Sequence, residues 1–179
     1  MEEIAVKKLL ENKKEDRKEL LKILYNKLSE KMFILIYRYV RNEYDAEDIL
    51  NNGFIKVFEH IYSFEYRGYG SIEAWIKKIM INEALMFLRK RHDFNIISES
   101  SILNIQHNIS ADSRIEEEEY YKILQQLPVG YRTVFNLYAI EGYSHAEIAD
   151  KLNIKESTSR SQLTKARDML RKLLTKYGL

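Results

Sequence analysis

A single proline, Pro128, and six glycines are the only strong helix breakers in 179 residues, and that scarcity constrains the fold more than any other feature. Helices can run long when so little interrupts them. Apolar residues between the breakers recur every three or four positions, the spacing of one buried helical face. Residues 19–40 carry Leu20, Leu21, Leu24, Leu28, Met32, Leu35, Ile36 and Tyr39 in this way. A second helix is predicted to open near Asp45 and to bury Ile49, Leu50, Phe54, Val57, Phe58 and Ile61. A third is predicted over about 72–91, burying Trp75, Ile79, Leu85 and Leu88. Alternating strand patterns are hard to find, so the expected fold is all-α.

From 93 to 112 the helical spacing dissolves into serines, asparagines and isolated isoleucines. Roughly twenty such residues exceed an ordinary loop inside one compact unit. Two small helical domains joined by a flexible linker are therefore expected: 1–92, a linker at 93–112, and 113–179. The second domain opens with a helix over 115–126. Pro128 then suits the first turn of another, which Val134, Phe135, Leu137 and Tyr138 continue and Gly142 ends.

The chain contains no cysteine, which removes disulfides and thiolate metal sites. Residues 1–18 are crowded with charge and lack the apolar core of a signal peptide. The longest apolar stretch, 32–37, is too short for a bilayer. The expectation is a cytoplasmic protein without membrane insertion. A net charge of +2 says little about nucleic acid, but its distribution says more. Residues 77–91 hold Lys77, Lys78, Arg89, Lys90 and Arg91 against Glu83 alone, and 151–176 hold eight basic residues against Glu156 and Asp168. Residues 116–119, between them, are all glutamate. Two separate anionic contacts fit this pattern, and so do two solvated helix faces.

The sharpest local signal lies at 142–174. Ser144, His145, Ala146 and Glu147 form a capping-box sequence. A short helix follows, presenting Ala146, Ile148, Ala149 and Leu152 to a core. Asn153 tolerates the left-handed backbone of a tight turn. A second helix starts between Lys155 and Thr158 and buries Leu163, Ala166, Leu170 and Leu173. This is the helix-turn-helix arrangement. Ser157, Thr158, Ser159, Arg160 and Gln162 fall in the first turns of the second helix, where base edges are read. Arg and Gln can make bidentate base contacts, whereas Lys165, Arg167, Arg171 and Lys172 can reach phosphates. A plain helical hairpin with a solvated basic face is the competing structural reading.

In the first domain, Asp45, Glu47 and Asp48 open a helix, where carboxylates favour the macrodipole. They also fit an exposed contact for a partner protein. A metal site there would need convergent ligands, and His60, His92, His107 and His145 are scattered without ligand spacing. Residues 62–71 read as a loop. Across this loop and the helix after it, Tyr62, Phe64, Tyr66, Tyr69 and Trp75 are interleaved with Arg67, Lys77 and Lys78, the mixture that unpaired bases and their backbone require. Trp75 and Phe64 can equally be core residues. Tyr66 and Tyr69, flanked by glycines, are the better exposed platform.

These residues together resemble the extracytoplasmic-function (ECF) class of bacterial sigma factors over nearly the whole chain. Asp45-Ala46-Glu47-Asp48-Ile49-Leu50 with Phe54 is similar to the helix that binds the polymerase clamp. Ser71 to Ile76, then Asn82 and Arg89-Lys90-Arg91, is similar to the melting and minus-ten segment. Leu127-Pro128, Tyr131-Arg132, Val134-Phe135, Leu137 and Glu141-Gly142 resemble the start of region four. Glu147-Ile148-Ala149, Leu152-Asn153-Ile154 and 158–167 resemble its minus-thirty-five helix-turn-helix.

The resemblance implies a sigma factor with regions two and four. It would bind core RNA polymerase at the clamp and flap and open promoter DNA, using no cofactor and catalysing nothing itself. It implies polymerase contact through Asp45, Glu47, Asp48, Ile49, Asn51, Asn52 and Phe54. Single-strand contact would fall to Tyr66, Arg67, Tyr69, Ser71, Trp75, Lys77, Lys78, Asn82, Arg89, Lys90 and Arg91. Duplex contact would fall to His145, Lys155, Ser157, Thr158, Ser159, Arg160, Gln162, Lys165, Arg167 and Arg171. An anti-sigma protein is a further implied partner, and the free protein is expected to be a monomer. Asn51, Asn52, Met86, Lys155, Ser159 and Gln162 depart from the usual residues of the class. Two other readings remain: a helix-turn-helix regulator acting without polymerase, and an all-α phosphohydrolase using Asp45, Glu47 and Asp48.

Overall fold

The structure, a computed structural model, describes residues 16–91 and 116–178. It divides at Phe87–Leu88 into two compact units, inside the last turn of a helix and short of the expected 92/93 boundary. The linker expected at 93–112 lies outside the described residues. No strand occurs among the described residues.

The N-terminal unit contains α1 (Asp16–Val40), α2 (Glu43–His60), a single 3-10 turn (Ile61–Ser63) and, as far as Phe87, α3 (Ser71–Lys90). Helix α2 opens two residues earlier than the carboxylates suggested, because Asn42 caps it. The Asp45 amide donates to Asn42 Oδ1 at 3.0 Å, satisfying one otherwise orphaned donor. Leu20, Leu24, Leu28, Met32, Leu35, Ile36 and Tyr39 of α1 bury as expected, with Ala46, Ile49, Leu50, Phe54, Val57 and Ile61. Leu21 remains half-buried.

Phe58 departs from the expectation, being 49% exposed. It sits one step of about 100° round the helix from Val57, on the rim of the buried stripe. In α3 the core is made by Ile72, Ile76, Met80, Ile81, Ala84, Leu85 and Leu88, while Trp75 and Ile79 are half-buried at its edge. Gly53 lets α3 come close: a Cβ there would meet Met80 Sδ at 2.2 Å. Ion pairs from Lys31 to Glu73 and from Lys56 to Glu83 tie α3 to α1 and α2. The first is exposed, and such pairs orient helices more than they stabilise them.

The C-terminal unit contains α4 (Glu116–Gln125), α5 (Val129–Phe135), a π-helical turn (Asn136–Ile140), α6 (His145–Leu152) and α7 (Glu156–Tyr177). Pro128 stands at the N-cap of α5, just before its first turn. The helix expected to run on to Gly142 widens after Phe135. The Glu141 amide donates to Asn136 O at 2.9 Å, five residues back, which is π geometry. Ile123, Leu127, Ala166 and Leu170 form the core between α4 and α7, with Leu173 only half-buried beside it. Arg132 is 1% exposed, and its Nη1 donates to Leu127 O at 2.9 Å, meeting a carbonyl at the end of α4.

Candidate nucleic-acid interface

The reading unit of the C-terminal domain is built as the capping sequence implies. The Glu147 amide donates to Ser144 Oγ at 3.2 Å, and the Ser144 amide donates to Glu147 Oε2 at 2.8 Å. Ile148 and Leu152 turn inward at i, i+4. Ala146, expected in the core, is exposed, because it lies about 200° from Ile148 around the helix. Asn153 adopts the left-handed conformation, φ 53°, at the turn. Helix α7 begins at Glu156. These elements form a helix-turn-helix, and α7 is its recognition helix by position.

Helix α7 is sharply two-sided. Ser159, Gln162, Leu163, Ala166 and Leu170 are buried at helical spacing. Ser159 at 0% and Gln162 at 4% exposure therefore lie on the inward stripe, which corrects their placement on the base-reading face. Their polarity suggested exposure, but their register with Leu163 and Ala166 decides the matter. Ser157, Arg160, Lys165, Arg167, Arg171 and Lys172 are exposed, Thr158 is half-buried, and Lys155 is exposed just before the helix. Arg160 pairs with Glu156 and Arg171 with Asp168 on the surface. Pairs in water hold only weakly, so these guanidinium groups can exchange them for an anionic partner.

His145 joins this surface. Its Nδ1 is hydrogen-bonded to Ser159 Oγ at 2.9 Å. Its ring stacks on Tyr138 with centroids 4.5 Å apart and planes at 22°. Arg167 lies over the Tyr138 ring at 5.7 Å. Burial first, then Arg160 and Arg167, holds the imidazole below its ordinary value, against an opposing effect of Glu156. Tyr138 had been read only as a continuation of the preceding helix. An aromatic residue four positions before the helix-ending Gly142 was the available signal.

In the N-terminal unit, Phe64 and Trp75 meet at a centroid distance of 5.2 Å and 46°. They share an open recess of about 470 Å³ with Ser63, Glu65, Arg67 and Ser71. The Arg67 amide donates to Ser71 Oγ at 3.3 Å, closing the loop onto the start of α3. Gly68 and Gly70 have φ of 107° and 77°, angles that a side chain would strain. Between them Tyr69 is 93% exposed, whereas Tyr66 is half-buried. Lys78, Asn82 and Met86 form an exposed stripe at i, i+4, i+8 along α3, and Arg89, Lys90 and Arg91 are exposed at its end. Lys77 is half-buried and off that stripe.

Helix α2 presents Glu47, Asp48, Asn51 and Asn52 to solvent, with Asp45 half-buried. Ile49 and Phe54, expected to contact a partner, are buried in the core and act from beneath as supports. Glu47 and Asn51 border a recess with Tyr25, Ser29, Glu30, Phe33 and Leu50. Phe58 lies in a neighbouring apolar recess with Leu21, Tyr25 and Phe54, a surface that sequence reasoning placed in the core. Among the described residues, no three His, Cys, Asp or Glu converge as metal ligands. No helix among the described residues is long and apolar enough to cross a membrane.

A helix-turn-helix with this exposed basic face defines a DNA-binding protein. Family models narrow the class: Sigma-70 region 2 matches residues 24–93, and Sigma-70, region 4 matches residues 117–170. The chain is 29% identical to the ECF RNA polymerase sigma factor SigW of Bacillus subtilis over 185 residues, 96% of this chain and 98% of that protein. It is 28% identical to the ECF RNA polymerase sigma factor SigE of Mycolicibacterium smegmatis over 159 residues, 84% of this chain but 60% of that protein. A solved structure of CnrH in complex with the cytosolic domain of CnrY has the same fold, with a TM-score of 0.51 and 19% identity over 97% of this chain and 96% of that one. The chain belongs to the Sigma-70 family, carrying its regions 2 and 4, and is a sigma factor that directs RNA polymerase in promoter recognition.

Proposed function

We propose that this sigma factor acts through three separate surfaces, and that the chemistry of RNA synthesis belongs wholly to the polymerase. The exposed face of α2, with Glu47, Asp48, Asn51 and Asn52, binds the clamp of core RNA polymerase, while Ile49 and Phe54 hold that helix in place. The Phe64–Trp75 recess, with Tyr66, Arg67, Tyr69 and Ser71, receives an unpaired base. Lys78, Asn82, Arg89, Lys90 and Arg91 follow its strand, with Lys77 beside them. Helix α7 enters the upstream duplex, Arg160 reading a base while Lys155, Lys165, Arg167 and Arg171 hold phosphates.

The observation that carries this reading is the division of α7 into an apolar stripe and an exposed basic face. Opening is driven by differential affinity, since only melted DNA can fill the recess. Unstacking a base costs a few kcal/mol, and stacking on aromatic rings returns about 1–3 kcal/mol. The protein works in the cytoplasm, is a monomer when free, and is held in check by an anti-sigma protein that competes for the polymerase-facing surface.

Holoenzyme assembly tests the polymerase contact. Reversing Glu47 and Asp48 together to lysine should weaken association with purified core polymerase at least tenfold by fluorescence anisotropy. Unchanged association would move the contact off α2.

A further inference from the structure

We propose that Ser159 is a positioning residue for duplex recognition, acting through His145 to present the imidazole Nε2 to a DNA backbone phosphate. This rests on the reading of α7 as the helix that enters DNA, and it assigns a role to a residue that cannot touch DNA itself. Ser159 is fully buried, yet its hydroxyl is not spent on its own helix, because it is bonded to His145 Nδ1 at 2.9 Å. That bond crosses from the first turn of the recognition helix to the first residue of α6. It links the two helices of the motif by a directional contact, which an apolar side chain at 159 would lack.

The bond also bears on what the imidazole offers. The two ring nitrogens lie on opposite sides of the ring, and the partner of one sets the state of the other. A serine hydroxyl can donate or accept; where it donates to Nδ1, the neutral ring carries its proton on Nε2, and this is the tautomer we assign. Tyr138, stacked at 4.5 Å, restricts rotation of the ring from the other direction. Arg167 over Tyr138 and Arg160, itself paired with Glu156, lie near the ring. An Nε2–H donor with two guanidinium groups nearby suits a phosphate oxygen.

Threonine and valine at 159 have the same shape and differ by one hydroxyl, which makes them the informative pair. With holoenzyme assembled from full-length protein and core polymerase, binding is measured on a promoter duplex selected from genomic fragments by the wild-type holoenzyme. Ser159→Thr should stay within about twofold of wild-type affinity, while Ser159→Val loses about five- to tenfold, and the loss should be equal across upstream sequences. His145→Phe should lose a similar factor, and adding Ser159→Val to it should cost nothing more. Thermal melting of each variant separates a folding defect from a binding one. Equal affinity of the threonine and valine variants, at equal stability, overturns the proposal, as does an additive double variant. If Arg160→Ala also left binding unchanged at every sequence, the reading of α7 as the DNA-entering helix would fail instead.

Discussion

Ser144 and Glu147 satisfy each other at both ends of a capping box, the Glu147 amide donating to the Ser144 hydroxyl at 3.2 Å and the Ser144 amide to the Glu147 carboxylate at 2.8 Å. The pair fixes where α6 begins, and thereby how α7 leaves the turn at Asn153. Ser144→Ala should destabilise the C-terminal unit by about 1 kcal/mol. The single tryptophan, Trp75, lies in the N-terminal unit. In urea, the far-UV circular dichroism transition should therefore shift while the tryptophan fluorescence transition stays in place. A shift of neither signal would remove the capping box from the stability of the motif.

Arg160 and Lys165 are both exposed on α7 but are assigned different work. Arg160→Ala should change which upstream sequences are preferred, costing about 1–3 kcal/mol at one base position. Lys165→Ala should weaken all sequences alike and lower the salt dependence by about one phosphate contact. Binding across a randomised upstream element at two salt concentrations distinguishes them. A uniform loss from Arg160→Ala would make it a phosphate contact.

Tyr69 stands out of its loop almost fully exposed, and its burial cannot contribute to folding. Tyr69→Ala should leave thermal stability unchanged and slow promoter opening several-fold, with closed-complex affinity preserved. Tyr66→Ala should act in the same direction with some loss of stability, because Tyr66 is half-buried. Opening followed by a fluorescent base analogue in the melted strand reads both, and an unchanged opening rate would place Tyr69 outside the melting surface.

His145 titrates below the ordinary imidazole value of 6.5, first through burial and then through Arg160 and Arg167. A folded-state value lower than the unfolded one gives stability that is present above about pH 6.5 and is lost as pH falls through the folded value. The difference in melting temperature between wild type and His145→Gln should shrink from pH 7.5 to pH 5. A bound phosphate would act oppositely and favour the protonated ring, so wild-type DNA affinity should gain more on acidification than that of His145→Gln. A difference that stays constant with pH would mean the ring does not titrate in this range.

Much of this architecture was legible in the residues. Apolar spacing placed the helices, the Ser144–Glu147 pair and Asn153 marked the turn, and glycines around Tyr69 marked an exposed loop. Errors arose where a stripe has edges. Phe58 and Phe54 share a spacing, yet only Phe54 reaches the core, because the rim of a helical face is set by its neighbours. Ser159 and Gln162 were read by polarity although their register with Leu163 and Ala166 pointed inward. The π turn at Asn136–Ile140 has no apolar period that distinguishes it from an α-helix. Ile49 and Phe54, which the family pattern assigns to polymerase contact, have side chains that face the core.

Run-off transcription with purified core RNA polymerase on a panel of genomic promoter fragments tests the central claim most directly. The account predicts transcripts from a subset of promoters that appear only when this protein is added to core enzyme. Failure to associate with core polymerase and to stimulate initiation from any fragment would contradict it.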